Sequence, residues 1–162
     1  MAKGRELKGR IKSVENTKKI TRTMEMVATS KMKRAQDRVA AARPYATALA
    51  DVIATLYSPE LAERFPLLRQ PGAPGGRRAA VLLLTSNRGL AGGFNANLIK
   101  EGRTLVQRLE REGYTVDLHI VGRKGIGYFR YLGRTLSAQR TDITDRPTAD
   151  DARSLVDGLM QE

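Results

Sequence analysis

Cysteine is absent from the 162 residues, histidine occurs once, and no apolar run approaches the roughly 20 residues needed to span a membrane. Each absence removes a class of function. Without thiols there is no disulfide, thiolate metal site or cysteine nucleophile, and a reducing compartment suits the chain. With His119 alone, a transition-metal centre has little to coordinate through. The amino-terminal residues hold no apolar signal core, and Glu6 and Glu15 argue against an Arg-rich transit peptide, so a soluble bacterial chain is expected. Acids are scarce where bases gather: from Met1 to Arg43 thirteen Lys and Arg face four acids, placing +9 of the formal +12 in the first quarter. That balance points to acidic surfaces, nucleic acid or anionic membrane without choosing among them.

Turn formers are missing too. Ile11 to Gln36 (IKSVENTKKITRTMEMVATSKMKRAQ) contains neither glycine nor proline. Steps of four and three residues from Leu7 pass through Ile11, Val14, Lys18, Thr21, Glu25, Ala28, Met32, Ala35, Val39, Ala42, Ala46, Leu49, Ile53 and Leu56, a heptad seam. It is unbroken from Ala28 onward, whereas at Lys18, Thr21 and Glu25 the apolar residues move to Ile20, Met24 and Val27. A helix from about Lys3 to Tyr57 is roughly 80 Å long at about 1.5 Å per residue. A domain of about 100 residues cannot cover that length, so the helix is expected to project and be gripped by other chains. Pro44 predicts a bend near Arg43 unless there are two helices, and Ser58-Pro59 ends the run.

The predicted organisation is a long basic coiled-coil helix over 1–58, a Pro/Gly linker over 59–78 and an α/β domain over 79–162. The linker composition lies in Pro66, Pro71, Gly72, Pro74, Gly75 and Gly76. After it the period changes. Ala79–Thr85 and Val116–Val121 read as strands, Leu136–Thr141 as a weaker one. Asn95–Glu112, with Leu98, Leu105, Val106 and Leu109 inward and Gly113 at its end, reads as a helix. Lys124–Leu132 and Thr148–Met160 follow, the last capped by Thr148 with Asp151. Strands alternating with helices give an α/β fold, a small doubly wound, mostly parallel sheet with flanking helices.

Thr85 to Asn97 (TSNRGLAGGFNAN) joins a strand to a helix, where open α/β sheets bind ligands. Its Arg88, Gly89, Gly92, Gly93 and Asn95 match neither a dinucleotide fingerprint nor a phosphate loop with Lys-Ser/Thr, so the glycines read as turn chemistry and no cofactor is expected. Gly122, Gly125 and Gly127 read alike, and His119 as a structural strand residue. Asp142, Asp145, Asp150 and Asp151 look like loop and cap residues, and no catalytic constellation assembles. A membrane-surface helix lacks aromatics on its oily face, and a basic zipper lacks the Leu-rich heptads. There remains a coiled coil whose alanines admit a partner helix closely and whose cations face an acidic surface.

Three stretches, MEMVATSKMKRAQ at Met24–Gln36, TSNRGLAGGFNANL at Thr85–Leu98 and VGRKGIGYF at Val121–Phe129, resemble the gamma subunit family of the F-type ATP synthase in order and spacing. The resemblance implies a non-catalytic central-stalk rotor turning inside a hexamer of alpha and beta subunits, its base near the epsilon subunit and the membrane c-ring. It would lie peripherally on the cytoplasmic side of the cell membrane, with no membrane insertion and no nucleic acid. Met24, Glu25, Met26, Val27, Ala28, Ser30 and Lys31 match the segment facing the beta subunits. Lys18, Lys19, Arg22, Lys33 and Arg34 fit cations set against acidic loops. Ala91 stands where the family often has Cys. The family's chain continues beyond Glu162 into further sheet and a second coiled-coil helix, so this one reads as truncated, its seam lacking an intrachain partner. The alternatives are a basic coiled-coil nucleic-acid-binding protein or a truncated, non-coupling gamma-like fragment.

Overall fold

Helix α1 follows from what its sequence leaves out: past Gly9 no residue breaks the pattern until Pro44, and Ala, Lys, Arg, Met and Leu lose little freedom on becoming helical. In the computed structural model, which describes residues 2–65, 68 and 77–160, α1 spans Ala2–Leu56 as a single 55-residue helix with Pro44 inside it. The proline leaves one element and not two. Local terms support it only weakly. Glu6–Arg10 and Lys33–Asp37 pair one turn apart at 3.1 and 2.9 Å, worth roughly 0.3–0.5 kcal/mol each on an exposed helix. Thr17, Thr21, Thr23 and Thr55 turn their hydroxyls back to carbonyls four residues earlier. Every described side chain from Gly4 to Leu56 is exposed, so α1 has none of the packing that normally stabilises a helix.

Ser58-Pro59 ends α1 and starts another helix with the same two residues. Ser58 Oγ accepts from Leu61 N at 3.3 Å, Pro59 takes the first helical position, and α2 runs Pro59–Arg64. The segment expected to be linker from residue 59 therefore opens helical; its Pro66, Pro71, Gly72, Pro74, Gly75 and Gly76 lie outside the described residues. The chain divides into two compact units, Met1–Arg69 and Gln70–Glu162.

The second unit alternates strand and helix: β1 Arg78–Leu84, α3 Phe94–Arg111, β2 Thr115–Val121, α4 Arg123–Tyr131, β3 Ala138–Arg140 and α5 Ala149–Met160. It is an α/β unit with a parallel three-stranded sheet in the order β1-β2-β3; among these strands the order does not reverse. Val81 pairs with Leu118 and Leu83 with Ile120, and these four meet Ile99, Val106, Ile126 and Phe129 in one apolar core. Leu98, Leu105 and Leu109 pack around it, as the helical spacing predicts. The third strand is shorter than the expected Leu136–Thr141. Strand β2 stops at Val121, opposite Arg140, and leaves no ladder beyond it.

Helix α3 ends at Gly113, whose φ of +86° opens the reversal. Gly113 N bonds Glu110 O and Tyr114 N bonds Leu109 O, both at 3.0 Å, which satisfies two carbonyls the helix would leave open. At α5 the expected cap forms reciprocally: Asp151 N donates to Thr148 Oγ1 at 3.1 Å and Thr148 N to Asp151 Oδ2 at 2.8 Å.

Candidate interaction surface

On α1 the spacing of Arg22, Glu25, Met26, Thr29, Ser30 and Lys33 sets them along one stripe, where they line a shallow groove. Five of these six are among the contact residues proposed from sequence. Lys18, Lys19, Met24, Val27, Ala28, Lys31 and Arg34 are exposed around it. Two members are held within the helix: Arg34 Nη2 donates to Ser30 Oγ at 3.2 Å, and Lys33 pairs with Asp37. The seam residues Met32, Val39, Leu49, Ile53 and Leu56 are 45% to 63% exposed, and Ala35, Ala42 and Ala46 are exposed among them. The surface is apolar and cationic along one continuous rod.

In the second unit the turn from β1 to α3 meets the turn from β2 to α4 at the carboxyl end of the sheet. The first three amides of α4 each donate to that first turn: Arg123 N to Asn87 Oδ1 at 3.1 Å, Lys124 N to Ser86 O at 3.2 Å and Gly125 N to Thr85 Oγ1 at 2.9 Å. A helix start can cradle an anion when its amides are open; here they serve the neighbouring loop. Gly122 is forced by the same junction. A Cβ there would stand 2.1 Å from Thr85 O, and its φ is +100°. Asn95 ties the other side, its Oδ1 accepting from Ser86 N at 3.0 Å. Asn87 Nδ2 reaches Thr141 O and Ile143 O, both at 3.1 Å, and binds the segment after β3 to the turn. Gly89 and Gly93 have room around them, and Gly92 sits at φ +54°.

Sequence reasoning passed over Thr85, Asn87 and Leu90. The first two act through partners 36 to 56 residues away, which no local pattern signals. Leu90 had a signal: a large apolar residue among glycines. It is 94% exposed and held at φ +60°, a conformation that costs a leucine roughly 1–2 kcal/mol. Phe94, Arg88, Arg123 and Lys124 are exposed in the same two turns.

His119 is 4% exposed in β2, in register with Leu82 and Ala138. At the β3 to α5 connection the Arg140 guanidinium binds Asp142, which holds that carboxyl below its usual range and raises Arg140 in turn. Asp151 is lowered by the Thr148 amide and hydroxyl. Among the described residues no group of three His, Asp or Glu is placed to hold a metal ion, and no helix is long and apolar enough to cross a membrane.

Residues 3–162 match the ATP synthase family. The chain is 69% identical over 161 residues to the ATP synthase gamma chain of Gemmatimonas aurantiaca, covering 99% of this chain and 55% of that protein. It is 45% identical to the ATP synthase gamma chain of Frankia casuarinae, covering 96% of this chain and 51% of that one. Against that of Leptospira biflexa it is 40% identical over 99% of this chain and 55% of the relative. The chain thus spans about half the length of the curated relatives it matches.

Proposed function

The chain belongs to the ATP synthase family, and on that premise we propose that it is a central-stalk rotor element of an F-type ATP synthase. Helix α1 sits within the ring of alpha and beta subunits, and the α/β unit lies toward the epsilon subunit and the membrane c-ring. The protein carries torque and performs no bond chemistry; the catalytic sites belong to the ring. It is peripheral to the membrane on the cytoplasmic side. The observation that carries this reading is α1 itself: 55 residues of helix whose described side chains are exposed from Gly4 to Leu56, apolar and cationic together. Such a rod has no purpose in solution, because exposed apolar stripes of that extent mark interaction sites.

Within this reading Lys18, Lys19, Arg22, Lys33 and Arg34 face acidic loops of the ring, and Met24, Met26, Val27 and Ala28 make its apolar contacts. The shift of stripe at Ile20, Met24 and Val27 presents different contacts to three identical neighbours, which a rotor requires. The test is reconstitution with alpha and beta subunits, reading co-sedimentation and ATP hydrolysis. The chain is expected to join the ring, and the double variant Arg22→Glu, Lys33→Glu to weaken that association about tenfold or more. Failure to associate, or salt-sensitive binding of duplex DNA in preference to the ring, would sink the proposal. Association that leaves ATP hydrolysis by the ring unchanged would instead identify a non-coupling element.

A further inference from the structure

One segment of α1 is built differently from the rest. Seven of the eleven residues from Ser13 to Thr23 are β-branched or short polar ones, which lose side-chain freedom in a helix or compete for its backbone. In the eleven from Lys31 to Ala41 there are two, Asp37 and Val39. Glu15 is the single acid of the first segment beside Lys18, Lys19 and Arg22, and Lys18 and Arg22 stand one turn apart as like charges.

The hydroxyls add a geometric cause. Thr17, Thr21 and Thr23 donate to Ser13 O, Thr17 O and Lys19 O at 3.0, 2.8 and 3.1 Å. Each of these carbonyls belongs to the helix ladder, and sharing it with a hydroxyl weakens the ladder bond and bends the helix. Thr17 and Thr21 lie one above the other, whereas Thr23 is turned about 200° from Thr21, so the slack is not confined to one direction. In this same segment Lys18 and Thr21 interrupt the apolar seam, which resumes on another face at Ile20, Met24 and Val27. We propose that Ser13 to Thr23 is a compliant joint in α1, softened by its threonines, that lets the amino-terminal seam of Leu7, Ile11 and Val14 change direction relative to the groove from Arg22 to Lys33. On the rotor reading the joint lets those two parts of the rod follow different neighbours. The joint is a property of the chain alone and is tested without the ring, so its failure is distinguishable from failure of that reading.

The absence of cysteine lets spin labels be placed in pairs at will. Arg10→Cys with Ala28→Cys brackets the joint, and Met24→Cys with Ala42→Cys brackets an equal length of α1 beyond it, about 27 Å in each case. The first pair leaves Gly4 and Gly9 outside, and the second leaves Pro44 outside. Each doubly labelled chain is diluted in unlabelled parent, and the distribution of distances is measured by pulsed electron resonance. The distribution across the joint is expected to be at least about twice as wide as the other. Replacing Thr17, Thr21 and Thr23 together by alanine, a better helix former, is expected to narrow it to nearly the width of the Met24 to Ala42 pair, with helix content by circular dichroism unchanged or raised. Equal widths in the parent chain overturn the proposal. So does a distribution that stays broad once the three threonines are gone.

Discussion

Leu90 is the residue whose conformation least serves its own domain. Its side chain is 94% exposed, so no burial offsets the strain of φ +60°, and glycine would occupy the position freely. Leu90→Gly is therefore expected to leave stability unchanged or raise it by up to about 1 kcal/mol, measured by urea unfolding of the α/β unit's signal. If the leucine is kept for a contact outside the chain, the same variant loses affinity for the epsilon subunit or the c-ring proposed as neighbours of the α/β unit, while gaining stability. Gly122 is the opposite case. There the missing Cβ is a requirement, because Thr85 O would stand 2.1 Å from it. Gly122→Ala must push β1 and β2 apart at the end where Thr85 N bonds Val121 O at 2.7 Å. A loss of at least about 3 kcal/mol is expected, in the upper tail of single-residue effects. A loss under about 1 kcal/mol would show that the junction yields more readily than its geometry implies.

At the scale of elements, α5 offers a titration. Asp151 is held below the ordinary carboxylate value of 3.8 by its bonds to the Thr148 amide and hydroxyl. A carboxyl depressed in the folded state contributes stability that is complete above its unfolded value and is lost as pH falls through its folded value. The amino end of α5 is therefore expected to stay protected from amide exchange at neutral pH and to fray below about pH 4. Asp151→Asn should abolish that acid step, and Thr148→Ala should cost about 1 kcal/mol at neutral pH. Acid fraying that persists in Asp151→Asn would assign it to Asp142 and Arg140 instead. These caps were legible in the sequence because their signals are local. So were the other helices and the two longer strands, each placed to within a single residue at either end, since the change of hydrophobic period survives without tertiary information. Helix α2 was not, because Ser58-Pro59 reads equally as a stop and as a start. The length of β3 was not either, since the end of β2 sets it. The hydrogen bonds of Asn87 and Thr85 join elements far apart in the chain, so the locking of the two turns appears only once the sheet is folded. The stripe on α1 lies within one helix, and five of its six groove residues were named from the sequence, by the resemblance and by the placement of cations, with Thr29 the one passed over.

Over the whole molecule the net +12 is placed unevenly, with most of the cations of α1 before Ala35, so the contacts of that part should be the salt-dependent ones. The proposed contacts of Lys18, Lys19, Arg22, Lys33 and Arg34 with an acidic ring would depend on Coulomb attraction between exposed groups, which is screened beyond about 10 Å at 0.1 M ionic strength. The stretch from Ala35 to Leu56 carries two acids and two bases, so its contacts respond little to salt. Raising ionic strength should therefore weaken association with the alpha and beta subunits through the first part of α1, measured by sedimentation across a salt series. If association does not weaken, the cations of α1 are ordinary surface charge and the groove at Arg22 and Lys33 is not where an acidic partner sits. The slope follows from residue placement: eleven of the thirteen cations before Pro44 precede Ala35.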